Sequence, residues 1–243
     1  MGTVINIFAI LVGSGLGVLL GHRLPQKMSR TLTDAMGLVV LVIGALNLSA
    51  LQDEAFTQTV GTSGTLLVVL GALLMGGVFG SLLKIEERLS EFGSWLQHKT
   101  SRGESKDKER FIEGFVNSSL LFTIGPMAVL GSLQDGLGQG IEVLALKSTL
   151  DGFTAIAFAA ALGWGVAFSF IPVGLWQGLL TLAALGAGAV MSDAVIASIT
   201  ATGGVLLLGT ALRLMQIRMV SVADLLPALL FAPLLTVLVG VIL

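Results

Sequence analysis

Runs of about 20 apolar residues recur along the whole chain, separated by short polar turns and one long charged segment. Thr3–Gly21 and Thr65–Leu83 carry no charge, and Leu32–Leu51 carries only Asp34. A helix of about 20 residues rises ~30 Å, the thickness of a bilayer's hydrocarbon core. Inside that core every backbone amide needs a partner within the protein, which restricts apolar spans of this length to helices. Composition agrees: 54% of residues are hydrophobic and 12% charged, with a mean hydropathy of +0.95. Soluble domains carry about 25% charged residues. Half of the charged residues here lie between Lys84 and Glu113. The expected fold class is therefore all-α: a polytopic transmembrane helix bundle of about eight spans (seven to eight). Residues 1–243 form one transmembrane domain, and residues 84–112 a cytoplasmic charged loop with an interfacial amphipathic helix inside it.

Two internal repeats stand out. Ala9, Gly13 and Gly17 in the first span match Ala72, Gly76 and Gly80 in the third at a constant offset of 63. Such small-residue stripes let helix backbones approach closely in lipid. The pattern SxxDxxxAxxFA occurs at Ser148–Ala159, in the fifth span (Ser148–Phe170), and again at Ser221–Ala232, in the eighth (Ala223–Leu243), at an offset of 73. The fourth span, Phe115–Leu133, is interrupted at Gly125-Pro126; Pro172–Ala189 and Val195–Leu214 are the sixth and seventh. Lysines and arginines follow spans one, three and seven, which places both termini outside by the positive-inside rule. The two SxxD motifs then start at opposite membrane faces, so spans 3–5 and 6–8 read as a probable internal inverted repeat, an architecture that transporters use.

Within the charged segment, Ile85, Leu89, Phe92, Trp95 and Leu96 follow helical spacing, with Glu86, Glu87 and Glu91 on other faces. His98 to Arg110 is polar and mixed in sign, and reads as a solvated, flexible stretch.

The candidate substrate- or ion-binding residues are Asn117, Ser118, Ser119, Gly125, Pro126, Asp135, Lys147, Asp151 and Asp224. Pro126 either only kinks its helix or frees a carbonyl that Asn117, Ser118, Ser119 or Thr123 could serve. Asp151 and Asp224 are costly in a span unless functional. Both also fit a capping box, in which serine and acid satisfy amides of a first helical turn. Lys147 either snorkels to the interface, pairs with Asp151 or holds an anion. Asn6, Asn47 and Gln177 read as amides that bridge helices. Arg213 reads as a cytoplasmic anchor.

GTVIN at the start, GFVNSSLLFTIGPMAVLGSLQDGL, LKSTLDGF and LLPALL together resemble the YqgA-like bacterial membrane proteins, domain of unknown function 554. The likeness covers nearly the whole chain, and its central block is the most specific part. It implies a multi-pass protein of the bacterial cytoplasmic (inner) membrane, and it brings no activity with it. Members of that family often carry Glu at the start of the seventh span, where this chain has SDAVIASITATGG, so an acid's role there would fall to Asp193.

Catalysis is not expected. The chain has two histidines and no cysteine, and both histidines fall in polar turns, so no catalytic site, metal site or cofactor is expected. The balance of charge gives no argument for nucleic acid. The expected partners are the lipid bilayer and an unidentified small solute or ion, and a homo-oligomer is compatible with the chain. Two functions fit: a small-solute or ion transporter or channel with its pathway between the two repeats, and a non-transporting membrane scaffold or regulatory protein.

Overall fold

The structure is a computed structural model that describes residues 1–21, 25–100, 105–187 and 192–242. His22 and Arg23 of the first basic turn, Gly188 and Ala189 of the sixth span, and Leu243 lie outside the described residues. The described residues form helices joined by short turns, with no strand among them. Six segments are long and apolar enough to cross a bilayer: Gly2–Gly21, Arg30–Gln52, Gly64–Leu83, Glu142–Leu185, Asp193–Leu214 and Val222–Ile242. The pair Lys108–Ile124 and Met127–Gly136, bent by 61°, makes a seventh. Large apolar side chains such as Phe8, Leu70, Phe153, Leu182 and Val241 cover the outside, as a lipid solvent requires.

Contacts divide the chain into two compact units. The first comprises Met1–Met36, Arg88–Thr123 and Met127–Ala189. At its centre α1 (Gly2–Gly21) lies along α8 (Glu142–Leu162). The glycine stripe makes this possible. A Cβ placed on Gly13 would overlap the Gly152 carbonyl oxygen and lie 3.2 Å from Ala155 Cβ, and one on Gly17 would lie 2.9 Å from Ala159 Cβ. The order of these pairs shows that α1 and α8 run parallel. After α8 a 3-10 helix, Gly163–Ser169, turns the chain at Gly163 (φ +80°). Then α9 (Phe170–Ala187) returns antiparallel to α1, with Gly174 against Ile7 and Gln177 beside Asn6. The 44-residue stretch Glu142–Leu185 thus folds back on itself.

The charged segment is more ordered than its composition suggests. Helix α5 (Ile85–Thr100) continues to Thr100, and α6 (Ser105–Ile124) begins at Ser105, so only residues 101–104 of the polar stretch lie outside the described residues. The expectation of a flexible His98–Arg110 fails at Arg110. Its guanidinium donates to the carbonyls of Ala161 (3.0 Å) and Ala160 (3.4 Å), capping the end of α8. Helix α6 stops at Gly125, and α7 (Pro126–Gly136) starts on Pro126, where a missing N–H costs nothing.

The second unit comprises Gly37–Glu87, Ile124–Pro126 and Val190–Leu243. The later turns of α2 (Gln26–Asn47) run antiparallel to α10 (Asp193–Leu214), with Gly44 against Gly204 and Gly37 against Met215. A short helix not expected from hydropathy, α3 (Glu54–Val60), is N-capped by Asp53, which accepts from the Phe56 amide at 3.0 Å. Its Phe56 and Val60 pack with Val68 and Ala197. Helix α4 (Gly64–Leu83) packs its own stripe on α11 (Val222–Leu225) and α12 (Ala228–Ile242), two pieces separated at Leu226-Pro227. A Cβ on Gly76 would lie 2.8 Å from Ala228 Cβ, and one on Gly80 2.9 Å from Asp224 Cα, while Ala72 joins Ala228 and Ala232. This order is antiparallel.

The two repeats found in sequence are therefore each other's partners. In each unit one copy of the stripe packs on one copy of the SxxD motif, through Ala155 and Ala159 in the first and Ala228 and Ala232 in the second. The sense of packing is opposite in the two. Nothing in a glycine-alanine surface forbids that, because it presents no side chain large enough to impose a direction.

Candidate functional site

Asp151 does not cap a helix. The loop glycines Gly138 (φ +69°) and Gly140 (φ +120°) end the preceding turn, and α8 begins at Glu142 rather than at Ser148. The stretch EVLALK is made of good helix formers, so the helix has already formed where the capping box would begin. Ser148 donates instead to the Leu144 carbonyl at 2.6 Å, one turn back. Asp151 is thereby carried about 13 Å along the axis from the start of α8, into its middle turns.

There it meets Lys147 of the same helix, one turn away, in a salt bridge between Lys147 Nζ and Asp151 Oδ2. The two residues are 4% and 8% exposed, so Lys147 neither snorkels nor reaches water. Asn6 of α1 donates from Nδ2 to Asp151 Oδ2 at 2.9 Å and to Gln177 Oε1 of α9 at 3.4 Å. Lys147 Nζ also stands 6.0 Å from the centre of the Phe122 ring, which stacks on Phe158. An ion pair in a low-dielectric interior persists only when its remaining hydrogen-bonding groups are served. Here two amides supply part of that service, and the amides themselves are incompletely paired. Among the described residues Asn6 Oδ1 and Gln177 Nε2 find no partner, and neither do Thr3 Oγ1, Ser14 Oγ, Trp176 Nε1 and Thr181 Oγ1. Asn6 and Gln177 do bridge helices as expected. What their sequence positions could not indicate is that they do so around a charge.

The other candidate residues are placed elsewhere. Asn117 is fully buried in α6, and neither of its amide atoms has a partner among the described residues. It lies between Gly114, packed on Leu162, and Phe122, level with the later turns of α8 rather than with Asp151. Ser118, Ser119 and Thr123 do not serve the proline break, because their hydroxyls donate back to Gly114, Phe115 and Ser119 of their own helix. Gly125 marks the bend, with nothing within 4 Å of its Cβ position, and Pro126 opens α7. Asp135 accepts from the Gly2 amide and the Met1 amine, both at 2.9 Å, and so caps α1.

Asp224 belongs to the second unit, and its role is an exchange. Its Oδ1 accepts from the Glu86 amide at 2.9 Å, at the start of α5, while Glu86 Oε2 accepts from the Ala223 amide at 3.0 Å, at the start of α11. Each acid caps the other's helix. Glu86 Oε1 also pairs with Arg213, so Arg213 is a lock on that junction rather than a free anchor, and Glu86 is not a solvated charge. The signal for Glu86 was its place two residues after Lys84, whose left-handed conformation (φ 54°) ends α4. Asp193 lines an open cavity of about 730 Å3 together with Gln52, Asp53, Glu54, Gln58 and Thr200. Among the described residues no group of three or more His, Asp and Glu is placed to hold a metal ion.

Residues 1–237 match the family described as "Protein of unknown function (DUF554)". The chain belongs to the DUF554 family. It is 32% identical over 233 residues to the protein named "Uncharacterized protein YqgA" of Escherichia coli (strain K12), covering 96% of this chain and 94% of that one. It is 28% identical over 232 residues to "Uncharacterized membrane protein YdfK" of Bacillus subtilis (strain 168), covering 96% and 93%. No solved structure matches. This DUF554 chain is thus a membrane protein, and in its first unit the buried Lys147–Asp151 pair is joined by the Asn6 and Gln177 amides.

Proposed function

We propose that this DUF554 protein is a transporter or channel for a small solute or ion in the bacterial cytoplasmic membrane, acting without catalysis. One observation carries the reading: the Lys147–Asp151 pair, tied to Asn6 and Gln177, with polar atoms of both amides left to bind something else. Ionisable groups inside spans are costly, and they commonly mark ion and solute pathways. The pathway runs within the first unit, along α1, α8 and α9, rather than between spans 3–5 and 6–8. Flux of small ions and solutes into liposomes bearing the purified protein tests this. The double variant Lys147→Met/Asp151→Leu keeps the volume of the pair and removes both charges. Flux in the wild type that this folded variant loses by tenfold or more is the expected result, and equal flux in both would end the reading.

The topology proposed with it has eight crossings, both termini outside and residues 84–112 inside. Glu142–Leu185 counts twice because it folds back, and the bent α6–α7 pair counts once. A reporter fused after Gln97 should be active only as a cytoplasmic fusion; periplasmic activity there would reverse the whole assignment.

The second reading is a scaffold or regulator. It is favoured by α5, whose Phe92 and Trp95 stack at 5.7 Å and remain exposed with Lys99 over the Trp95 ring. The bilayer interface accommodates such a pair equally well.

A further inference from the structure

Among the described residues of the first unit, four polar atoms without partners face one seam, on Thr3, Asn6, Gln177 and Thr181. Thr3 and Asn6 sit one turn apart on α1, and Thr181 and Gln177 one turn apart on the facing helix α9. Thr181 lies at the level where α1 begins, since a Cβ on Gly136 would overlap its carbonyl oxygen, and Asp135 beside Gly136 caps the α1 terminus. Asn6 and Gln177 touch each other, and Asn6 touches Asp151. The seam between α1 and α9 therefore carries hydroxyls at its end and amides at its depth, leading to the Lys147–Asp151 pair. One helical turn is ~5.4 Å, which a single water molecule bridging two groups spans. Thr3 Oγ1 and Thr181 Oγ1 can both donate and accept, Gln177 Nε2 donates and Asn6 Oδ1 accepts. A water file needs that mixture.

From these observations, and resting on the transport reading above, we propose that Lys147–Asp151 is a proton-exchange site fed along the α1/α9 seam, so that the proton is the transported or coupling ion. The chemistry of the pair selects the proton. An alkali ion needs several oxygen ligands and would have to sit beside the Lys147 ammonium, and only one carboxylate is present. An anion drawn to Lys147 would leave the Asp151 charge buried without its partner. A proton needs no space of its own. It passes from hydronium in the seam to an Asp151 oxygen, forming one O–H bond and leaving water. Asp151 becomes neutral, the salt bridge to Lys147 opens, and the site gains one positive charge. The ammonium then faces the Phe122 ring, already within 6.0 Å of its centre, where an aromatic face steadies a cation. Asp135 and the Met1 amine, at the mouth of the seam, pair with each other, and Arg110 of α6 is held at the end of α8. Neither α1 nor the Gly163–Ser169 turn, the elements packed most closely on α8, carries a charged residue, and α9 carries none.

Infrared difference spectra of the purified protein in lipid, recorded between acid and alkaline pH, read protonation of a buried carboxyl directly. A carboxyl band that titrates in the wild type, moves in Asp151→Glu and is missing from Lys147→Met/Asp151→Leu is expected. The variant Thr3→Val/Thr181→Val leaves the ion pair intact and interrupts the file. It should keep the wild-type melting temperature while proton movement into liposomes falls at least tenfold. A folded wild type with no titrating band assigned to Asp151 would overturn the proposal, even if solute flux were present, and the transport reading would then stand alone. A titrating Asp151 band in a protein that moves neither solute nor proton would keep the exchange site and remove transport. Unchanged proton movement in Thr3→Val/Thr181→Val would overturn the seam as its route.

Discussion

Gly13→Leu and Gly76→Leu should each leave little folded protein in detergent, whereas Gly15→Leu should melt close to the wild type. Gly13 and Gly15 share one helix and one composition, and differ only in what they face. A Cβ on Gly13 would overlap the backbone oxygen of Gly152, and one on Gly76 would lie 2.6 Å from Ala228 Cα. Both obstacles are main chain, which cannot turn aside as a side chain can. At Gly15 nothing stands within 4 Å. Overpacking a tight contact costs about 1–3 kcal/mol and sometimes more, and a leucine driven into a partner helix belongs at the upper end. Association in lipid has no water exclusion to compensate, so the helix pairs would part. Thermal melts of the three variants in one detergent measure the difference. Equal melting temperatures would mean that the stripes do not pack as described.

Lys147→Met is the second large effect expected, and its size comes from what it leaves behind. The Asp151 carboxylate would stay buried and charged, keeping its hydrogen bond from the Asn6 amide but losing the ammonium. Breaking a buried ion pair from one side costs about 3–5 kcal/mol, because the remaining charge keeps its desolvation penalty. Lys147→Met/Asp151→Leu should be the more stable of the two variants despite carrying more changes, since no charge remains. Chemical or thermal unfolding of both in the same detergent decides this. A double variant less stable than Lys147→Met would show that the carboxylate finds water or another partner.

Much of this molecule was legible before any coordinates. Apolar run length read out the class, because a bilayer accepts a fixed helix length and demands internal hydrogen bonds. The break at Gly125-Pro126 was legible for the same local reason, since proline cannot continue the hydrogen-bond ladder. Both repeats were visible as well, Ala9, Gly13 and Gly17 with their copies and Ser148–Ala159 with its copy.

Three things were settled only by the tertiary structure. The stripes and the SxxD motifs are partners, once parallel and once antiparallel, and small residues cannot encode that direction because they present no shape to match. The α8 start at Glu142 turned an apparent capping box into a mid-helix ion pair, because the helical stretch Glu142–Lys147 outweighed the Ser-x-x-Asp pattern. Glu86, Asp224 and Arg213 meet from three distant segments, and the exchange of caps between α5 and α11 depends on where α4 ends. The sequence by itself determined the helical class and the approximate places of the apolar runs, because both are local consequences of apolarity. Which buried polar group meets which depended on the packing of α1 between α8 and α9, and no single helix carries that information.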